Sequence, residues 1–220
     1  MDLPTPETAL KTGTTTLAMS CTDGVIMATD KRATMGHLIG HKDTKKMFAV
    51  DKHLALTTAG LVGDAHNLAR LLGAEAQLYR FKRDQPLPVR GAATMIGNIL
   101  NRSKFNPYWV QLIIGGYDRR GGSIYTVDSA GGSIPETWTC TGSGSAFVYG
   151  VLEDRMEENI DVKTGIDLAI RGLNASMRRD SASGNGMDIA VIDQDGFRSL
   201  DEELILKRHK ALKLPMSFHA

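Results

Sequence analysis

At 220 residues the chain is long enough to bury a substantial core, as one large domain or two small ones. Its 42% hydrophobic and 23% charged content is ordinary for a globular protein. The 26 basic residues nearly cancel the 25 acidic ones, which argues against nucleic acid or an anionic membrane as partner, and no apolar run is long enough to span a bilayer.

Residues 1–13, MDLPTPETALKTG, are polar, carry two prolines and read as an appendage without the apolar stretch of a secretory leader. TTTLAMS and GVIMATD then flank the turn-like CTDG and predict a hairpin. KKMFAV and LALTTAG predict two further strands around DKH. The period changes at Asp64, a candidate N-cap, after which Leu68, Leu72 and Tyr79 recur at helical spacing. A second helix fits 88–101, with Val89, Ala92, Ala93, Ile96, Ile99 and Leu100 on one face and Pro88 in its first turn. WVQLIIGGYD, GSIYTVDSAG and TWTCTGSG predict strands. Helices follow near 145–158 and 163–179, the latter with Ile166, Ala169, Ile170, Leu173 and Met177 on one stripe. MDIAVIDQDG returns to strand, with DQDG read as a hairpin turn.

Clustered strands followed by paired helices predict an α+β fold: a four-layer αββα sandwich of two mainly antiparallel sheets, each covered by a helix pair. Cys21 and Cys140 are distant, with no CxxC pattern, so a reducing, cytoplasmic setting is expected; a disulfide between them stays open.

Common chemical signatures fail. His37 and His41 stand four apart, but Gly36 and Gly40 argue against a helical metal pair. GSGSAF lacks the Lys-Ser/Thr of a phosphate loop and the final glycine of a hydrolase elbow. Neither metal nor cofactor is expected.

The threonine run after Gly13 is different. A cut between Gly13 and Thr14 would give Thr14 both a hydroxyl and an α-amine, whose ordinary pKa of about 7.7–8.0 suits a general base near neutrality. Nucleophile and base would then belong to one residue. Glycine at position 13 tolerates backbone conformations that other residues resist. A lysine ammonium held by a carboxylate would help ionise the hydroxyl. Asp30 and Lys46 suit that pairing, although an exposed surface pair is the simpler reading of these two residues taken alone, and spacing does not choose between Lys45 and Lys46.

TTTLAMSCTDGVIMATDKRATMG, KKMF, TTAGLVGDA, TGSGSAFVYGVLE and RRDSASGNGMDIAVI together resemble the β subunits of archaeal-type 20S proteasomes, which are N-terminal-nucleophile hydrolases. The resemblance runs from Thr14 to about residue 205. It implies a threonine-type endopeptidase with residues 1–13 as a propeptide removed by self-cleavage and 14–220 as one catalytic domain. Thr14 becomes nucleophile and base, Asp30 and Lys46 its charged partners, and the Gly60 N–H the oxyanion donor; Ser143, Asp180 and Ser183 would support the threonine amine and its water. Substrate would pair with edges near Thr34 and Gly60–Val62. Ala33, Thr44, Thr58 and Val62 would line a neutral pocket for the residue before the cleaved bond. The implied partners are further copies in heptameric rings, proteasome α subunits, an ATP-dependent unfoldase and unfolded polypeptides. A non-catalytic ring subunit, a two-component bacterial-type peptidase with six-membered rings and a small-molecule amidase are the alternatives.

Overall fold

The computed structural model describes residues 13–215; residues 1–12, nearly all of the expected propeptide, and 216–220 lie outside the described residues. Strands β1 (Thr16–Cys21), β2 (Gly24–Asp30), β3 (Ala33–Met35), β4 (Leu38–His41), β5 (Met47–Asp51) and β6 (Leu54–Gly60) come first. Helices α1 (Val62–Arg83) and α2 (Val89–Arg102) follow, then β7 (Val110–Asp118), β8 (Gly121–Val127), β9 (Ser133–Glu136) and β10 (Trp138–Thr141). Helices α3 (Ser145–Arg155) and α4 (Val162–Arg179), strands β11 (Met187–Asp193) and β12 (Gly196–Ser199), and helix α5 (Glu202–Ala211) complete the order.

Two five-stranded sheets run β10-β1-β2-β11-β12 and β5-β6-β7-β8-β9, with every neighbouring pair antiparallel. The central strands β1, β2, β6, β7 and β11 are buried along most of their length, so they read as apolar runs and still sort by a period of two. Leu17, Met19, Ile26, Ala28, Ile189 and Val191 face one helical layer, packing with Leu168, Ala169 and Leu173 of α4. Ala18, Val25, Met27, Ala190 and Ile192 turn the other way and meet Met47, Ala55, Ile113 and Ile124 of the second sheet. Leu54, Leu56, Leu112 and Ile114 back onto Leu68, Leu72, Ala93, Ile96 and Leu100 of α1 and α2. The α+β four-layer sandwich is thus the observed architecture.

Several local expectations change. Helix α1 is capped by Leu61, not Asp64; Asp64 lies in the first turn, where its carboxylate accepts from the Trp109 N–H at 2.9 Å. Pro88 is the N-cap of α2, one residue before its first turn. Helix α3 stops at Arg155, and α4 begins at Val162 behind Asp161, whose side chain accepts from the Thr164 N–H. One outer layer holds three helices rather than two, because α5 buries Ile205 and His209 against it.

Cys140 is registered opposite Leu17, four residues from Cys21, and both thiols are free and buried. Burial pushes each up to about 12, helped at Cys21 by Asp23 and Asp161, so neither is a nucleophile at neutral pH. No helix among the described residues is long and apolar enough to cross a membrane.

Candidate active site

Thr14 lies two residues before β1 and is 5% exposed. Its hydroxyl donates to the Gly13 carbonyl at 2.7 Å, which sets the side chain beside the bond expected to break. The Gly13 N–H in turn donates to the Thr34 hydroxyl at 2.9 Å. Thr34 therefore holds the residue before Thr14 through its side chain, a contact beyond the edge role expected of it.

Asp30 ends β2 with no exposed surface, so the surface-pair reading does not hold. Its carboxylate has four donors. Oδ1 accepts from the Thr15 N–H at 2.9 Å and the Lys46 ammonium at 2.6 Å; Oδ2 accepts from the Arg32 and Gly184 N–H groups at 3.0 and 2.9 Å. Burying an ion pair is tolerable when the remaining hydrogen-bond capacity is filled this way.

Lys46, immediately before β5, is 4% exposed. Burial pulls its pKa below the ordinary lysine range, against the opposing pull of Asp30. A lysine so placed parts with a proton more readily than one in water. Lys45 is exposed and stands over the Phe48 ring, 5.7 Å from its centre, so of the two lysines only Lys46 turns inward to Asp30.

A second polar chain reaches the Thr14 nitrogen from the far side. The Thr14 N–H donates to Ser143 Oγ at 3.2 Å, and Ser143 Oγ donates to Asp180 Oδ2 at 2.7 Å. Asp180 is the C-cap of α4, and the same oxygen accepts from Ser183 Oγ at 2.6 Å. Behind it, the Thr15 hydroxyl bonds Ser183 Oγ at 2.7 Å and also Ser176 Oγ. Thr15 and Ser176 were not singled out in the sequence. The threonine triplet held one signal, and Ser176 precedes Asp180 by one helical turn, which places both on one face.

Thr14, Lys46, Gly60, Ala33, Thr34, Thr44, Thr58 and Val62 all line one cavity of about 330 Å³. His41, Lys45 and His66 border it too, so its rim is more basic than the four expected pocket residues suggest. Gly60 has φ +124°, and a Cβ there would meet the Trp109 carbonyl oxygen at 2.0 Å; only glycine brings β6 to the cavity in this conformation. The structure thus gathers Thr14, Asp30, Lys46, Gly60, Ser143, Asp180 and Ser183 around one point. The arrangement offers a hydroxyl, a buried ammonium–carboxylate pair beside it, a polar chain to its nitrogen and a cavity at its side.

Comparison with known proteins points the same way. A family model described as proteasome subunit matches residues 10–192. A proteasome subunit beta of Methanosarcina thermophila is 48% identical over 201 residues, covering 91% of this chain and 96% of its own. One from Picrophilus torridus is 48% identical over 208 residues, 94% of this chain and 99% of its own. One from Methanothermobacter thermautotrophicus is 47% identical over 197 residues, 89% and 94% of the two chains. With matches of that extent, the chain belongs to the proteasome subunit family.

Proposed function

We propose that this chain is a catalytic β subunit of a 20S proteasome, a threonine-type endopeptidase that frees its own nucleophile. The observation that carries the reading is Thr14 itself: its hydroxyl 2.7 Å from the Gly13 carbonyl oxygen, its nitrogen on Ser143, and Lys46 and Gly60 on the same cavity.

In the first step Thr14 Oγ adds to the Gly13 carbonyl carbon and the Gly13–Thr14 C–N bond breaks. The hydroxyl proton passes to the departing nitrogen, leaving residues 1–13 as an ester on Thr14. Water then hydrolyses that ester, so residues 1–13 leave with a carboxylate and Thr14 keeps a hydroxyl and an α-amine. In turnover the amine accepts the hydroxyl proton, with the Lys46–Asp30 pair lowering the cost of the alkoxide. Oγ attacks the substrate carbonyl, the Gly60 N–H stabilises the oxyanion, and the proton goes to the leaving amine. Water releases the acyl group by the reverse sequence. Ser143, Asp180 and Ser183 orient the amine and the water.

Substrate lies extended along Thr34 and Gly60–Val62, held by main-chain hydrogen bonds that ignore side-chain identity. This suits unfolded polypeptides delivered by an ATP-driven unfoldase to a cytoplasmic particle of seven-membered rings capped by α subunits. Residues 14–220 act as one catalytic domain.

Purified rings should show seven-fold symmetry by electron microscopy and degrade an unfolded protein such as casein. Six-fold rings would move the chain to the two-component type. Seven-fold rings with active companion subunits but no cleavage at Thr14 would make this chain a scaffold, and a monomeric enzyme would point to the amidase alternative.

A further inference from the structure

We propose that Ala182 is the residue that restricts position 13 to glycine, so that self-cleavage is screened at the α4–β11 loop and not in the cavity that accepts substrate side chains. The inference rests on the self-cleavage reading above and adds the source of its selectivity.

Gly13 is buried, and a Cβ added to it would lie 1.8 Å from the Ala182 Cβ, 3.1 Å from the Ala182 Cα and 3.0 Å from Ser143 Oγ. Non-bonded carbons settle at about 3.5–4.0 Å, so the first contact is a hard overlap. Neither side has a flexible side chain with which to yield. Gly13 is pinned by its N–H on the Thr34 hydroxyl and by its carbonyl on the Thr14 hydroxyl. Ala182 sits in a loop tied at four points. Its own N–H donates to Asp180 Oδ1 at 3.1 Å, the Ser183 N–H to the Asp180 carbonyl at 3.1 Å, Ser183 Oγ to Asp180 Oδ2, and the Gly184 N–H to Asp30 Oδ2. Moving Ala182 away therefore disturbs both carboxylates of the site. Moving Gly13 away instead withdraws the scissile carbonyl from Thr14.

The direction of the clash matters as much as its size. Among the described residues, Ala182 is not part of the wall of the 330 Å³ cavity, which is formed by Ala33, Thr44, Thr58 and Val62 among others. Gly13 itself borders this cavity, but a Cβ on it is aimed at Ala182 on the loop, whereas substrate side chains enter the cavity. The glycine at the processing site carries no information about which peptide bonds the mature enzyme prefers.

The test follows the full-length chain, assembled with its partners, by intact mass over time as residues 1–13 are lost. Gly13→Ala should slow processing at least about tenfold, the scale of an overpacked site. Adding Ala182→Gly should recover most of that loss. Recovery should be incomplete, because Ser143 Oγ and the Ala182 Cα remain close. A double variant no faster than Gly13→Ala would overturn the assignment. A wild-type chain that keeps residues 1–13 in an active particle would instead overturn the self-cleavage reading, and this inference with it. Folding is read separately in a Thr14→Ala background, which cannot cleave. There Gly13→Ala should lower Tm and Ala182→Gly should raise it again, and an unmoved Tm would also count against the clash.

Discussion

Thr14→Ala should leave residues 1–13 attached and slow peptide hydrolysis by at least about 10⁴-fold, the scale seen when a unit that acts as nucleophile is removed. Both effects come from one atom. The Thr14 Oγ is the group 2.7 Å from the Gly13 carbonyl oxygen, and alanine keeps only the Cβ. The fold should survive, since the substitution removes one methyl and one hydroxyl from the edge of the core; the cost should be about 1–2 kcal/mol. Intact mass and a fluorogenic peptide assay on the same preparation check both halves. Processing that continues in the variant would mean that another group attacks the Gly13 carbonyl. Thr14→Ser keeps the hydroxyl and should still process, more slowly, because the methyl that limits χ1 is gone.

The second large effect is expected at Lys46. Lys46→Ala should lower kcat by about 10²–10⁴-fold, the range for a group that assists proton transfer. Lys45→Ala should leave the rate within about twofold, as for a surface side chain that touches no reacting group. The difference follows from direction: Lys46 meets Asp30 at 2.6 Å in the interior, and Lys45 stands on the exposed rim of the cavity over Phe48 without a bond to Asp30 or Thr14. Asp30 would keep three backbone N–H donors after the substitution, so the variant should assemble and the lost rate can be read as chemistry. Steady-state kinetics on assembled wild type and both variants decides the point. Equal losses at the two lysines, or the larger loss at Lys45, would contradict the proposed geometry.

The layers were legible because α2 and α4 carry clear buried stripes, α4 at Ile166, Ala169, Ile170 and Leu173, and β2 is a short apolar run buried end to end. What stayed hidden was either exposed or dispersed. The β3–β4 hairpin shows Met35, Leu38 and Ile39 to solvent, so it lacks the polar alternation that marks a half-buried strand. Helix α5 buries only Ile205 and His209 among charged neighbours, which blurs its periodicity. Strand β9 contains Pro135 and lies at a sheet edge, where its residues are all exposed.

At the site, the residues alone pointed to Thr14, a nucleophile behind a glycine; Asp30 and Lys46 were only a possible pair, and the resemblance to proteasome β subunits was what chose Lys46 over Lys45. The Thr15–Ser183–Asp180 chain could not be read off so directly, because it forms only when the start of β1, the end of α4 and the loop before β11 converge. The reason for glycine at position 13 also differs in kind. Local flexibility was the expectation; the structure adds a wall, Ala182, brought there from far along the chain.

All of the proposed chemistry depends on a hydroxyl and a primary amine sharing one residue. Intact mass of the chain within a particle that is actively cleaving peptides tests this most directly. The account predicts a chain that begins at Thr14; active particles built wholly of chains that still carry residues 1–13 would contradict it.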